Sequence, residues 1–166
     1  MLLLSCFCPS CFAASPYNPG MTTSSYQRIL GFDFGTKRIG VASGQAVTGT
    51  ASPLQPQPSR DGIPDWDKMD ALLAEWTPEA LIVGLPLNMD DSESELSHLA
   101  RKFARRLHAR YRLPVFMCDE RLSSHSARGL LMDVQARRRG KLPSLDSTAA
   151  VFITEAWLAE PTPIKP

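Results

Sequence analysis

A chain of 166 residues with 18 Lys/Arg against 17 Asp/Glu has room for one domain with a proper core and none for a second catalytic domain. The near-zero net charge hides an asymmetry, because His98 to Lys141 holds twelve basic residues against three acids, net +9, while the rest holds six against fourteen, net −8. Such blocks suit a polyanion-facing side and a solvated acidic side, although two helices with Arg-rich wet faces would give the same count.

Residues 1–20 carry no charge. Without a basic n-region they do not make a secretory signal, and the apolar stretch is shorter than the roughly 20 residues a membrane helix needs. Three of the four cysteines, Cys6, Cys8 and Cys11, fall here, and Cys118 stands alone in an apolar run. That excludes a disulfide framework and suits a reducing compartment; Cys8-Pro-Ser-Cys11 lacks the second pair a metal site would want. The expectation is a disordered extension over 1–25 with Met21 as the true start, one folded domain over 26–160 and a flexible tail over 161–166.

Ile29 to Asp33 is a short apolar run ended by a Gly-containing turn, and predicts a buried strand with a carboxylate at its lip. Arg38 to Ser43 predicts its antiparallel partner, and Gly49 to Leu54 a third strand running into a Pro/Gln loop closed by Asp61-Gly62. Trp66, Met69, Leu72, Leu73 and Trp76 recur at helical spacing after Asp65, a suitable cap, and Trp76-Thr77-Pro78 stops the helix. Ala80 to Leu85 is continuously apolar, as a strand covered on both faces must be. After Asp90-Asp91-Ser92, Leu96, Leu99, Ala100, Phe103, Leu107 and Tyr111 predict a long helix whose other face carries Arg101, Lys102, Arg105, Arg106 and Arg110. Val115 to Cys118 predicts a strand delivering Asp119, Glu120 and Arg121. A shorter helix from Ser123, a basic loop with Arg137, Arg138, Arg139 and Lys141, and a last helix from about Ser144 to Ala159 complete the order. The pattern implies an α/β fold, a mixed five-stranded sheet with helices on both faces, and in such sheets the working crevice lies at the carboxyl ends of the strands. Asp33, Asn88 and Glu120 stand at such ends.

Three acids come from distant parts of the chain: Asp33, Asp119 or Glu120, and Asp146 in the first turn of the last helix. Taken alone, Asp33 would read as a turn-former and Asp146 as an acid favoured by the helix dipole. Gathered together they would repel one another, and the natural resident is a divalent cation. Magnesium or manganese takes oxygen ligands and leaves positions for a phosphate, and two such ions can assist phosphodiester cleavage. Lys37 and Arg38 in the Gly35-Thr36-Lys37-Arg38 turn would contact a phosphate or simply close a hairpin, and Arg121 would add a two-pronged phosphate contact or pair with Asp119; Arg138, Arg139 and Lys141 would hold the backbone. No interleaved aromatics suggest base stacking, and His98 and His108 read as solvated.

Phe32-Asp33-Phe34-Gly35-Thr36-Lys37-Arg38, Ile82-Val83-Gly84-Leu85-Pro86-Leu87-Asn88, Asp119-Glu120-Arg121-Leu122-Ser123 and Asp146-Ser147-Thr148-Ala149-Ala150 together resemble the YqgF family. These are bacterial RNase H-like proteins described as pre-16S rRNA nucleases and also as Holliday junction resolvases. The resemblance, over residues 28 to 160, implies a ribonuclease-H-like fold, a cytoplasmic setting and trimming of the 5′ end of precursor 16S rRNA. It implies Asp33, Glu120 and Asp146 as catalytic, metal-holding acids, with Asp119 a candidate fourth, and Asn88 as a substrate or ligand-positioning residue. Ser126 stands where the family pattern has an acid. The partners implied are RNA, as precursor 16S rRNA in a pre-ribosomal particle, or branched DNA, with no membrane, the chain acting as a monomer or weak dimer. A non-catalytic RNA-binding assembly factor is the rival on the same fold. An actin-like ATPase, which Asp-x-Gly-Thr also resembles, would need a second lobe to enclose its nucleotide.

Overall fold

In the computed structural model, residues 26–88, 90, 92–119, 145–161 and 164–166 are described, without the side chains of Leu145 and Asp146. Strands β1 (Arg28–Asp33), β2 (Arg38–Gln45), β3 (Thr50–Pro53), β4 (Gln57–Arg60) and β5 (Ile63–Pro64) precede helix α1 (Trp66–Trp76). Strand β6 (Ala80–Leu85), helix α2 (Glu95–Tyr111), strand β7 (Val115–Asp119) and helix α3 (Leu145–Ala159) follow. The expected extension over 1–25, the helix from Ser123 and the basic loop with Arg138, Arg139 and Lys141 lie outside the described residues.

All five expected strands form, and two short ones extend the sheet to seven, in the order β5-β4-β2-β1-β6-β7 with β3 also paired to β2. β4 grows out of the expected Pro/Gln loop because β2 offers it an edge, pairing Arg38 with Pro58 and Ile39 with Gln57. Asp61 and Gly62, both at positive φ (51° and 75°), turn β4 into β5, the geometry a two-residue hairpin with right-handed twist requires. β1 is interior, antiparallel to β2 and parallel to β6, which is parallel to β7.

Alternation along the strands builds two cores. Leu30, Phe32, Ile39, Val41, Leu81, Val83, Val115 and Met117 point to one face and pack on Met69, Leu72 and Leu73 of α1 and Phe103 and Leu107 of α2. Phe32 meets Phe103 edge-on, centroids 5.8 Å apart. On the other face Ile29, Ile82 and Cys118 meet Ile153 and Trp157 of α3, and Ala42 meets Ala150 and Val151. Helices thus cover both faces, as expected.

Asp65 caps α1 by accepting from the Lys68 N–H. For α2 the cap is Ser94, two residues beyond the expected cluster, with a reciprocal box to Ser97, whose buried hydroxyl also donates to the Pro86 carbonyl. Leu96, in the first turn of α2, is exposed rather than inward. Ser94→Ala is expected to cost about 1 kcal/mol, read as a lower urea midpoint at unchanged slope.

Candidate active site

The carboxyl ends of β1, β6 and β7 lie side by side, with Leu85 of β6 opposite Asp119 of β7 and Val83 opposite Phe32, one residue before Asp33. Along β1, Ile29 and Gly31 belong to the α3 face, and the next position in that series is Asp33. Along β7 the α3 face takes Phe116 and Cys118, so the alternation assigns buried Asp119 to the opposite face with Val115 and Met117. Asp33 and Asp119 share an end of the sheet but not a face.

α3 supplies the third wall. A Cβ on Gly31 would lie 1.7 Å from Thr154 Oγ1 and 3.4 Å from the Ala150 carbonyl, and one on Gly44, opposite Ile29, would meet Thr154 and Leu158. The helix therefore runs antiparallel to β1, in near contact with its backbone. Two strand residues, Gly31 to Asp33, advance about 6.6 Å. Four helix residues, Ala150 back to position 146, advance about 6 Å. The first turn of α3, which contains residue 146, thus arrives level with Asp33. Ser147 fixes that turn, its buried hydroxyl donating to the Leu54 carbonyl at 2.6 Å. Among the described residues no three acids, histidines or cysteines are grouped to hold an ion; Glu120, Arg121 and the Asp146 side chain lie outside them.

Lys37 and Arg38 are exposed in the β1–β2 turn, where the Lys37 and Thr36 carbonyls accept from Ser59 and Gly62 of the β4–β5 hairpin. Asn88 sits in the loop after β6 and spends its amide on that loop, donating to Ser92 Oγ at 2.8 Å, while Ser92 donates to Asp90. The basic face of α2 is smaller than the sequence implies. Arg101 is bound to Glu93, which it holds below the usual carboxylate range, and to the Lys165 carbonyl. His98 leans on the same Glu93, and His108 Nδ1 lies 2.8 Å from the Leu113 carbonyl, so neither histidine is simply solvated. Arg110 makes a two-pronged bond to Asp70 at 2.8 and 2.6 Å.

Asp70 is held at a pKa of about 2, first by Arg110 and then by the Tyr111 hydroxyl. Its folded pKa is depressed, so the clamp's stabilisation is present above about pH 4 and is lost as pH falls from there toward 2. Because both side chains of the pair are 43 % exposed, solvent screening keeps the effect small. Asp70→Asn should flatten the wild-type fall in melting temperature over that window; an unchanged acid slope would contradict the assignment.

The family model described as "RuvX: Holliday junction resolvase" matches residues 27–160. The chain belongs to the RuvX family. Family members carrying the name "Putative pre-16S rRNA nuclease" include one from Marinobacter nauticus, 54% identical over 134 residues, covering 81% of this chain and 94% of the relative. Another, from Hahella chejuensis, is 55% identical, covering 78% and 82%. Among solved structures, Thermus thermophilus RuvC in complex with a Holliday junction substrate superposes with a TM-score of 0.53 at 13% identity, covering 78% of this RuvX chain and 91% of that one. RuvC from the same organism in a second structure gives 0.51 at 15%, covering 84% and 99%. At these identities the likeness is one of fold, and it agrees with the expected RNase H-like sheet. No helix among the described residues is long and apolar enough to cross a membrane.

Proposed function

We propose that this RuvX-family chain is a metal-dependent nuclease of the cytoplasm that trims the 5′ end of precursor 16S rRNA. The observation that carries the site is the antiparallel seating of α3 on β1, which brings the turn of residue 146 level with Asp33 at the carboxyl end of an interior strand. The relatives named for precursor 16S rRNA support the substrate.

Asp33, Glu120 and Asp146 are the proposed ligands for magnesium or manganese. An all-carboxylate donor set fits a hard cation and not zinc, and Asp33 has the α3 face to share with the start of α3. Asp119, assigned to the α2 face, is the weaker candidate for a fourth ligand. When bound, the ions would polarise the scissile phosphate and supply a nucleophilic water. The chain's own contribution is placement. The β1–β2 ladder holds Asp33 opposite Gly40, and the Ser147 to Leu54 bond fixes the first turn of α3. Lys37, Arg38 and Arg121 orient phosphates, and Arg138, Arg139 and Lys141 hold the backbone by salt-sensitive attraction. Asn88 shapes the loop beside the substrate.

The family model's description favours one second reading, cleavage of branched DNA by the same residues. Incubating the protein with precursor 16S rRNA and with four-way DNA, with and without magnesium or manganese, decides between them. Metal-dependent cleavage of the RNA alone is the expected result; cleavage of the junction alone would transfer the site to DNA, and binding of RNA without cleavage at any metal concentration would make the protein an assembly factor.

A further inference from the structure

A groove of about 850 Å³ lies between α1 and the segment from Leu54 to Pro58, with Lys37 and Arg38 of the β1–β2 turn in its wall. Lys68, Glu75 and the half-buried Trp76 of α1 also line it, as does Gln57. Neither Lys37 nor Arg38 has an acidic partner among the described residues. Lys68 has only a long contact to Asp65, 3.8 Å on an exposed surface. Three cations against Glu75 leave a positive wall beside an aromatic ring and a glutamine.

Trp76 is partly packed against the core and partly lines the groove, and an aromatic side chain beside unpaired cations is the set of elements with which proteins hold unpaired nucleotides. The groove's size falls in the range of small-ligand clefts, enough for a few nucleotides and too little for a duplex. Arg38 lies two residues along β2 from Gly40, the partner of Asp33, so this end of the groove stands about 7 Å along the strand from Asp33. From there the groove runs back along α1, on the sheet face opposite α3, to Trp76. We infer that the groove is the track for the single-stranded RNA flanking the cleavage site, with a base stacked on Trp76 and phosphates drawn by Lys37, Arg38 and Lys68. The inference rests on the RNA-processing reading and adds to it a second contact away from the acids. It would make the enzyme selective for a scissile bond that continues into an unpaired strand.

Fluorescence anisotropy with a short labelled single-stranded RNA, without metal, measures the track independently of cleavage. Trp76→Leu, confirmed as folded by its melt, should weaken binding roughly 5- to 100-fold, as loss of one stacked base does. Lys68→Glu, on the exposed side of α1, carries the same test through charge: it should weaken binding several-fold and lower the slope of affinity against salt. Double-stranded RNA should bind all three proteins alike. Equal affinity of wild type and both variants for the single strand would overturn the track, as would absence of binding by wild type. If single-stranded DNA is bound more tightly than RNA with the same dependence on Trp76, the assignment to RNA falls. Because the assay contains no metal and reads binding alone, a failure of the cleavage chemistry leaves the groove's assignment separately measurable.

Discussion

Asp33→Asn is expected to lower metal-dependent cleavage by at least about 100-fold, with the melting temperature and RNA affinity close to wild type. Replacing a partner one step removed from a metal typically costs 10- to 100-fold, and a direct carboxylate ligand should cost more. The substitution keeps the shape of the side chain at the end of the β1 ladder, where Asp33 pairs with Gly40, so the backbone has no reason to move. Single-turnover cleavage alongside anisotropy separates the two effects. A variant that cleaves as fast as wild type would end the metal model; one that neither cleaves nor binds would show that Asp33 acts in docking rather than in the chemical step. Chelation of divalent ions should reproduce the loss in the wild-type protein, and re-addition of magnesium or manganese should restore it.

The second large effect is on stability. Gly31→Ala places a methyl group 1.7 Å from Thr154 Oγ1 and 3.0 Å from its Cβ, so α3 must lift or the threonine must leave its rotamer. Thr154 is fully buried and donates to the Ala150 carbonyl at 2.6 Å, which limits its freedom to turn away. Overpacking of this kind costs about 1–3 kcal/mol, a fall in melting temperature of up to roughly 10 °C for a chain of this size. Combining it with Thr154→Ala should recover part of the loss, because the hydroxyl is removed while the Cβ contact stays; additive losses would mean that the two residues do not meet. Since the same contact sets the height of α3 on β1, Gly31→Ala should also reduce cleavage in protein that remains folded. A melt indistinguishable from wild type would contradict the packing.

Wherever a local signal and the burial pattern agreed, the sequence was enough. The run Ile29 to Phe32 and the run Ala80 to Leu85 read as buried strands because no polar side chain interrupts them, and both are interior. Asp65 read as the start of α1 because a short acid before a helical apolar repeat has one common use, and its carboxylate does accept from Lys68. Where sequence and structure part, a distant partner intervenes. Gln57 to Arg60, with a proline inside it, has no strand propensity, yet it pairs because the β2 edge is vacant beyond β3. Arg101 and Arg110 looked like members of a nucleic-acid face until Glu93 and Asp70, the latter 40 residues away, took them as partners. Trp76 read only as a core residue of α1, and no linear pattern put it beside Lys37 and Arg38.

The acids divide in the same way. That Asp33 ends a buried strand, and that Asp119 ends another, is a property of short apolar runs and could be read residue by residue. Which face of the sheet each belongs to is not local, because a slip of one residue in register exchanges the two faces. The ladders of β1, β6 and β7 decide it, and the bare backbone of Gly31 and Gly44 lets α3 close onto the side that Asp33 shares. Composition and periodicity determined that this chain is an α/β domain with carboxylates at strand ends; only register and the close seating of one helix decided which of those carboxylates face it.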